Sequence, residues 1–124
     1  MKIKESAENY LEAILMLKAK NGSVRSIDIA NYLNFTKPSV SVAMKSFREE
    51  GYITVDDAGS ISLTDKGKEI AEKMYERHQI IALALIALGV DETIAYEDSC
   101  KIEHDISNES FEAIKNHLKQ RRVL

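Results

Sequence analysis

Residues 26–63 read SIDIANYLNFTKPSVSVAMKSFREEGYITVDDAGSISL, and the order of elements in this stretch decides the fold. Ser26 is a residue type that caps helix N-termini, and Ile29, Ala30 and Leu33 at helical spacing predict a short helix ending at Leu33. Asn34-Phe35 supplies a turn. Thr36 then caps another helix, with Pro38 in its first turn, where a missing N–H costs nothing. Val40, Met44 and Phe47 give that helix one apolar face, and Glu50-Gly51 ends it. Tyr52–Val55 and Ser60–Leu63 alternate in polarity around Asp56-Asp57-Ala58-Gly59, the pattern of a β-hairpin.

Working outward, Glu5 to Lys20 places Tyr10, Leu11, Ile14, Leu15 and Leu17 among charged residues, which predicts an amphipathic helix closed by Asn21-Gly22. Beyond the hairpin, Thr64 caps a long helix running to Leu88 and stopping at Gly89. Two more helices are expected over Thr93–Ile106 and Asn108–Arg121, with Ser107 as break and cap. Helix, helix, turn, helix and hairpin is the order of a winged helix-turn-helix. The expected fold is therefore mainly α with a small β-hairpin wing. An N-terminal winged helix-turn-helix domain occupies residues 1–70, and a C-terminal helical domain occupies 71–124.

With 44% hydrophobic and 30% charged residues, the 124-residue chain has the composition of a soluble globular protein, not a disordered or fibrous one. Its net charge of −3 argues against a nonspecific nucleic-acid coat. Residues 1–70 hold ten basic and ten acidic side chains, whereas 71–124 hold seven and ten, so the acidic excess lies wholly in the second half. That distribution suits cation binding there better than phosphate binding. The apolar run Ile80–Val90 is too short to cross a bilayer. Its nearly all-round apolarity instead predicts a homodimer, with Ile80, Ile81, Leu83, Ala84, Leu85 and Ala87 buried against a second copy. No signal peptide or membrane partner is expected. One cysteine forms no internal disulfide, so the expected location is cytoplasmic, and Cys100 is a ligand, a reactive thiol or buried filler.

Burying Val40, Met44 and Phe47 turns Lys37, Ser39, Ser41, Val42 and Lys45 outward. Small hydroxyl side chains flanked by lysines suit a helix entering the major groove: short chains allow close approach to base edges, and lysines reach phosphates. Pro38 and Val42 add apolar contact for thymine methyl groups, and Thr36 and Ser26 stand at helix N-termini, whose N–H groups face phosphate. The plainer reading is that these hydroxyls cap helices, the lysines are solvated and the winged helix docks another protein.

In the second half, Cys100, Glu103 and His104 stand at i, i+3 and i+4 of a predicted helix, so a thiol, a carboxylate and an imidazole share one face. All three bind divalent transition metals. Two of the chain's three histidines, His78 and His104, fall at these positions, and Asn9 and Glu12 offer further oxygen donors from one face of the first helix. The competing reading is three unrelated side chains. An enzyme is not expected: no His-Glu-x-x-His helix, glycine-rich phosphate loop or paired catalytic carboxylates stand out, and no small organic substrate is implied.

The chain resembles the metal-dependent repressors that include the diphtheria toxin repressor and the manganese transport regulators. The resemblance lies in Asn9-Tyr10-Leu11-Glu12-Ala13-Ile14, Ile29-Ala30, Pro38-Ser39-Val40, Leu63-Thr64-Asp65-Lys66-Gly67, Arg77-His78, Leu88-Gly89-Val90-Asp91 and Cys100 through Ser107. It implies a homodimer whose C-terminal helical domain dimerises, metal held where the two domains meet, and repression of metal-uptake genes from palindromic operator DNA. Glu12, His78, Glu103 and His104 match family ligands. Cys100 matches the iron-responsive branch and Glu12 the manganese branch, while Asn9 departs from both. Ala82 and Tyr96 stand where iron-type members have additional ligands. Set against the family, the expectation is a short form without the SH3-like domain, one helix short of typical manganese regulators. A thiolate beside imidazole and carboxylate favours Fe(II), Zn(II), Co(II) or Ni(II) over Mn(II); the expected physiological metal is Fe(II), with Mn(II) second and Zn(II), Co(II) or Ni(II) binding in vitro. The alternative is a winged-helix regulator with a degenerate metal site that binds DNA without metal control.

Overall fold

The computed structural model describes residues 5–124, which form two compact units, one ending at Glu72 and one beginning at Lys73. The first unit holds α1 (Glu5–Asn21), α2 (Ser26–Leu33), α3 (Lys37–Glu49), β1 (Ile53–Val55), β2 (Ile61–Leu63) and the first turns of α4 (Asp65–Ala87). Its core gathers Leu11, Ile14 and Leu17 of α1, Ile29 and Ala30 of α2, and Val40, Met44 and Phe47 of α3 over Ile53 and Ile61 of the hairpin. These are the apolar positions the periodicity selects. Tyr10 adds an aromatic corner, edge-on to Phe35 at 5.4 Å and to Phe47 at 5.7 Å.

Local chemistry sets the joints of this unit. The Thr36 hydroxyl caps α3 by accepting from Ser39 N–H at 3.3 Å, and Pro38 sits in the first turn as expected. Asn34 adopts the left-handed conformation (φ 57°) that turns the chain between α2 and α3. The cap of α2 differs from expectation. Ser26 is the first helical residue, Arg25 takes the cap position, and its N–H donates to Asp28 Oδ2 at 2.9 Å. A carboxylate three residues on serves this N-terminus better than a hydroxyl, because it also meets the positive end of the helix dipole.

The wing is a two-stranded antiparallel sheet with Ile53 opposite Leu63 and Val55 opposite Ile61. Asp56 Oδ1 accepts from Ala58 and Ser60 N–H at 2.9 and 2.8 Å, closing the turn. The wing is tied back to the helices by the Arg25 guanidinium on the Ala58 carbonyl and by Lys18 Nζ on Ser62 Oγ at 2.8 Å. Thr64 caps α4, accepting from Gly67 N–H at 3.2 Å. Gly67 cannot be another residue without displacement, since a Cβ there would overlap the Tyr52 carbonyl.

The second unit contains the rest of α4, α5 (Glu92–Ile102) and α6 (Asn108–Gln120). Ile80 and Ile81 pack with Phe111 and Leu118, flanked by Leu83, Ala84, Leu85, Ile106 and Ile114. Gly89 (φ 100°) ends α4, with Val90 N–H bonded to Leu85 O at 3.0 Å. Asp91 caps α5 by accepting from Thr93 and Ile94 N–H, and Ser107 caps α6 by accepting from Ser110 N–H at 3.0 Å. The helix expected over Thr93–Ile106 stops four residues short of that end, at Ile102. Just past its end the carbonyls of Glu103 and Ile106 find a donor in Arg77, and Ile106 turns inward to the second core. Among the described residues, no helix is long and apolar enough to cross a membrane.

Candidate metal centre

Three side chains from α4 and the end of α5 converge in the second unit. Glu103 is fully buried, with its Oε2 at 3.0 Å from His78 Nδ1, and the Cys100 sulfur lies 3.7 Å from the same nitrogen. One donor atom from each of His78, Cys100 and Glu103 falls within 4.8 Å of the other two. Glu103 is the C-cap of α5 and still helical, so it stays in register with Cys100 one turn earlier. His104 lies beyond the helix end and places Nε2 at 3.4 Å from Glu103 Oε1. The expectation that 100, 103 and 104 share one helix face therefore holds for Cys100 and Glu103, while His104 reaches the carboxylate's other oxygen from a turn.

The surroundings hold these groups rigidly. Ser99, also buried, donates from Oγ to the His78 carbonyl at 2.6 Å, joining α5 to α4 behind the imidazole. The Tyr96 ring lies 5.5 Å from the His78 ring, and its hydroxyl donates to Gln79 Oε1 at 3.3 Å. Arg77 Nη1 donates to the carbonyls of Glu103 at 3.1 Å and Ile106 at 2.8 Å. Sequence reading did not single out Ser99 or the work of Arg77. An arginine directly before His78, ahead of the apolar run of α4, was the available signal.

A carboxylate buried to this degree is costly unless a positive partner shares its surroundings. Here the partner is His78. The Cys100 sulfur, and after it the Glu103 carboxylate, favour the imidazolium and push its pKa up to about 10 from 6.5, against burial, which pulls it down. The cluster is thus built to hold one positive charge between a thiol and a carboxylate. Glu103 Oε1, also buried, accepts no hydrogen bond and has only the His104 imidazole beside it, at 3.4 Å. Imidazole, thiol and a buried carboxylate without a full set of hydrogen bonds fit a divalent transition cation.

The remaining expected donors, Asn9 and Glu12, lie three residues apart on α1 of the first unit, Asn9 half-buried and Glu12 buried. On α3 the residues expected at DNA face outward. Lys37, Pro38, Ser39, Ser41 and Lys45 are exposed, as is the capping Thr36, and Val42 is 71% exposed. Ser26 is half-buried at the start of α2. Of the apolar residues expected at a dimer face, Ile80 and Ile81 are buried within the unit, Leu83, Ala84 and Leu85 are half-buried, and Ala87 is exposed beside the 81%-exposed Leu88. Ile81, Leu85 and Leu88 line an apolar groove with Ile114 and Leu118 of α6.

Comparison with known proteins covers both halves. Residues 2–60 match the family model described as the iron dependent repressor N-terminal DNA binding domain. Residues 64–123 match the iron dependent repressor metal binding and dimerisation domain. The chain is 36% identical over 113 residues to an HTH-type transcriptional regulator of Methanocaldococcus jannaschii, covering 90% of each chain. It is 33% identical over 110 residues to the transcriptional regulator MntR of Salmonella typhimurium, covering 89% of this chain and 70% of that one. Its fold is also that of the crystal structure of T. acidophilum IdeR (TM-score 0.83, 22% identity). That match covers 96% of this chain and 55% of that one, so this chain spans about half its length.

Proposed function

The chain belongs to the iron-dependent repressor family, metal-responsive DNA-binding transcriptional repressors and not enzymes, and from that membership we propose that Fe(II), with Mn(II) second, is its corepressor at palindromic operators of metal-uptake genes. A divalent metal is the cofactor and DNA the partner, and the second half is a dimerisation domain. The observation that carries the reading of the site is the convergence of His78 Nδ1, Cys100 Sγ and a Glu103 oxygen within 4.8 Å. The preference for Fe(II) rests on the thiol, which is softer than the oxygen donors that suit Mn(II).

His78, Cys100, Glu103 and His104 would hold the cation from the second unit, and Glu12, with Asn9, from α1. When bound, the cation supplies a positive charge that donors of both units share. His78 would give up its proton to bind, so proton and metal compete for one nitrogen. Glu12 and Asn9 would tie α1 to the dimerising unit and so fix the spacing of the two α3 helices in a homodimer. Half-sites one DNA turn apart accept only a narrow range of such spacings. Lys37 and Lys45 would meet phosphates, and Ser39, Ser41, Pro38 and Val42 base edges, with Thr36 and Ser26 presenting helix N-termini to the backbone. The gain in affinity equals the metal's preference for the DNA-competent arrangement, typically about 5–150-fold.

The test is a mobility-shift titration on operator duplexes selected from random sequence, run anaerobically with Fe(II), with Mn(II) and with chelator. Tighter binding with metal, strongest with Fe(II), is expected. Equal affinity with metal and with chelator would sink metal control.

A further inference from the structure

We infer that Arg77 is the positioning residue of the metal centre: its buried guanidinium fixes the turn after α5 so that Glu103 and His104 are presented together to the cation. The inference rests on the reading that His78, Cys100 and Glu103 bind metal. Arg77 directly precedes His78 on α4 and is only 6% exposed. One nitrogen, Nη1, donates to the Glu103 carbonyl at 3.1 Å and the Ile106 carbonyl at 2.8 Å. These two carbonyls bracket the segment that carries both Glu103 and His104.

That segment needs an external anchor. α5 ends at Ile102, and past it the backbone bonds come from Glu103 N–H to Ser99 O, then from Asp105 and Ile106 N–H to the single Ile102 carbonyl. The carbonyls of Glu103 and Ile106 would otherwise be orphans of a helix end near the interior. A guanidinium answers both because its donors are fixed in a plane and always charged. The guanidinium carbon sits 5.4 Å over the Phe111 ring of α6, so the group is held from a second helix as well. Nε is buried and makes no hydrogen bond, an arrangement that packing alone would not favour. An aliphatic chain would fill the same space without that loss. The carbonyl bonds are what an aliphatic chain lacks.

The consequence for the site is directional. Glu103 aims Oε2 at His78 and Oε1 at His104, and this bite depends on the backbone at 103 and 104 staying put. Ser99 fixes α5 to the His78 carbonyl on one side, and Arg77 fixes the turn on the other. Without Arg77 the turn is free to unwind, and the carboxylate and imidazole lose their shared orientation. Groups that orient metal ligands in this way change affinity by about 10–100-fold when removed.

Titration of the full chain with Co(II), followed by visible absorption and circular dichroism melting, tests this. Cobalt reports geometry through its d–d bands and a thiolate bond through charge transfer. If the wild type gives no charge-transfer band that Cys100→Ser removes, the metal reading itself fails, separately from the role of Arg77. Given that band, Arg77→Met should stay folded, bind Co(II) ~10–100-fold more weakly and show altered d–d bands. A folded Arg77→Met with wild-type bands, at whatever affinity, overturns the proposal. Should that variant not fold, Arg77→Lys decides: it keeps the charge but reaches a single carbonyl, so weaker binding with altered bands is expected, and wild-type bands overturn the proposal. Phe111→Leu loosens the same packing without touching the carbonyls, and should melt earlier with wild-type bands. Equal band changes in Phe111→Leu would reduce the effect to general loosening and also overturn it.

Discussion

The two units fill their interiors with different chemistry. Among the described residues, the first has a continuous cluster of fourteen buried apolar side chains, while the second has a cluster of four. Besides that cluster the second unit buries Met74, Ala82 and Ala95, and with them four polar residues, Arg77, His78, Ser99 and Glu103, where the first buries only Glu12 among the described residues. A three-helix unit with so small an apolar core lacks the burial that stabilises a free-standing domain. On the proposed reading a cation would complete the surroundings of Glu103, and a second copy would cover the apolar groove. On that reading the first unit is a self-sufficient reader and the second a conditional element, the sort of element an effector can bias.

The largest expected effect removes the centre of the smaller core. Phe111 is 2% exposed, and Phe111→Ala should cost ~3–5 kcal/mol, as deletions of buried aromatics do. Hydrogen exchange followed by mass spectrometry should show protection lost from Lys73 onward and retained in α1, α2 and α3. Collapse of protection in both units together would break the comparison, because it would make them one cooperative body.

Next in size is the metal response. His78→Ala removes the donor that both Cys100 and Glu103 approach, and the ~5–150-fold gain in operator affinity with metal should fall to no gain. Fluorescence anisotropy should find the chelated variant binding DNA as weakly as the chelated wild type, since α3 is untouched. A retained response would mean that His78 is no part of the switch.

This asymmetry also explains what could be read from the chain. The first unit was legible because its rules are local. Val40, Met44 and Phe47 repeat at helical spacing, Thr36 and Pro38 mark a helix start, and Gly59 marks a turn. The one local error, Ser26 as cap in place of Arg25 with Asp28, came from two residue types that serve the same end. In the second unit, Cys100 and Glu103 were legible as one helix face. The early end of α5 was not, because the donor that permits it, Arg77, lies twenty-six residues earlier. Spacing along one helix carries no information about a guanidinium on another.

Smaller again are the phosphate contacts proposed for the first unit. Lys37→Ala and Lys45→Ala should each weaken binding by a similar factor on every sequence and lower the slope of log affinity against log salt by about one. Ser39→Ala and Val42→Ala should instead alter sequence preference and leave the slope alone. A salt slope unmoved in both lysine variants would take α3's ends away from the DNA backbone.

The last expected effect is set by pH and separates the units without any DNA. Cys100 and Glu103 raise the His78 pKa to about 10, so this histidine stabilises metal-free protein fully below about 6.5 and loses that contribution as pH rises through about 10. With Mn(II) the sign reverses, because the cation takes the neutral imidazole and proton competition fades over the same interval. Melting of the second unit from about pH 7 to about pH 10 should therefore fall in chelator and hold or rise in excess Mn(II). His78→Gln should flatten the chelator curve, and α1 through α3 should show neither trend. Parallel slopes with and without Mn(II) would mean that metal and proton do not compete at His78, and the conditional character of the second unit would then have to rest on its apolar groove alone.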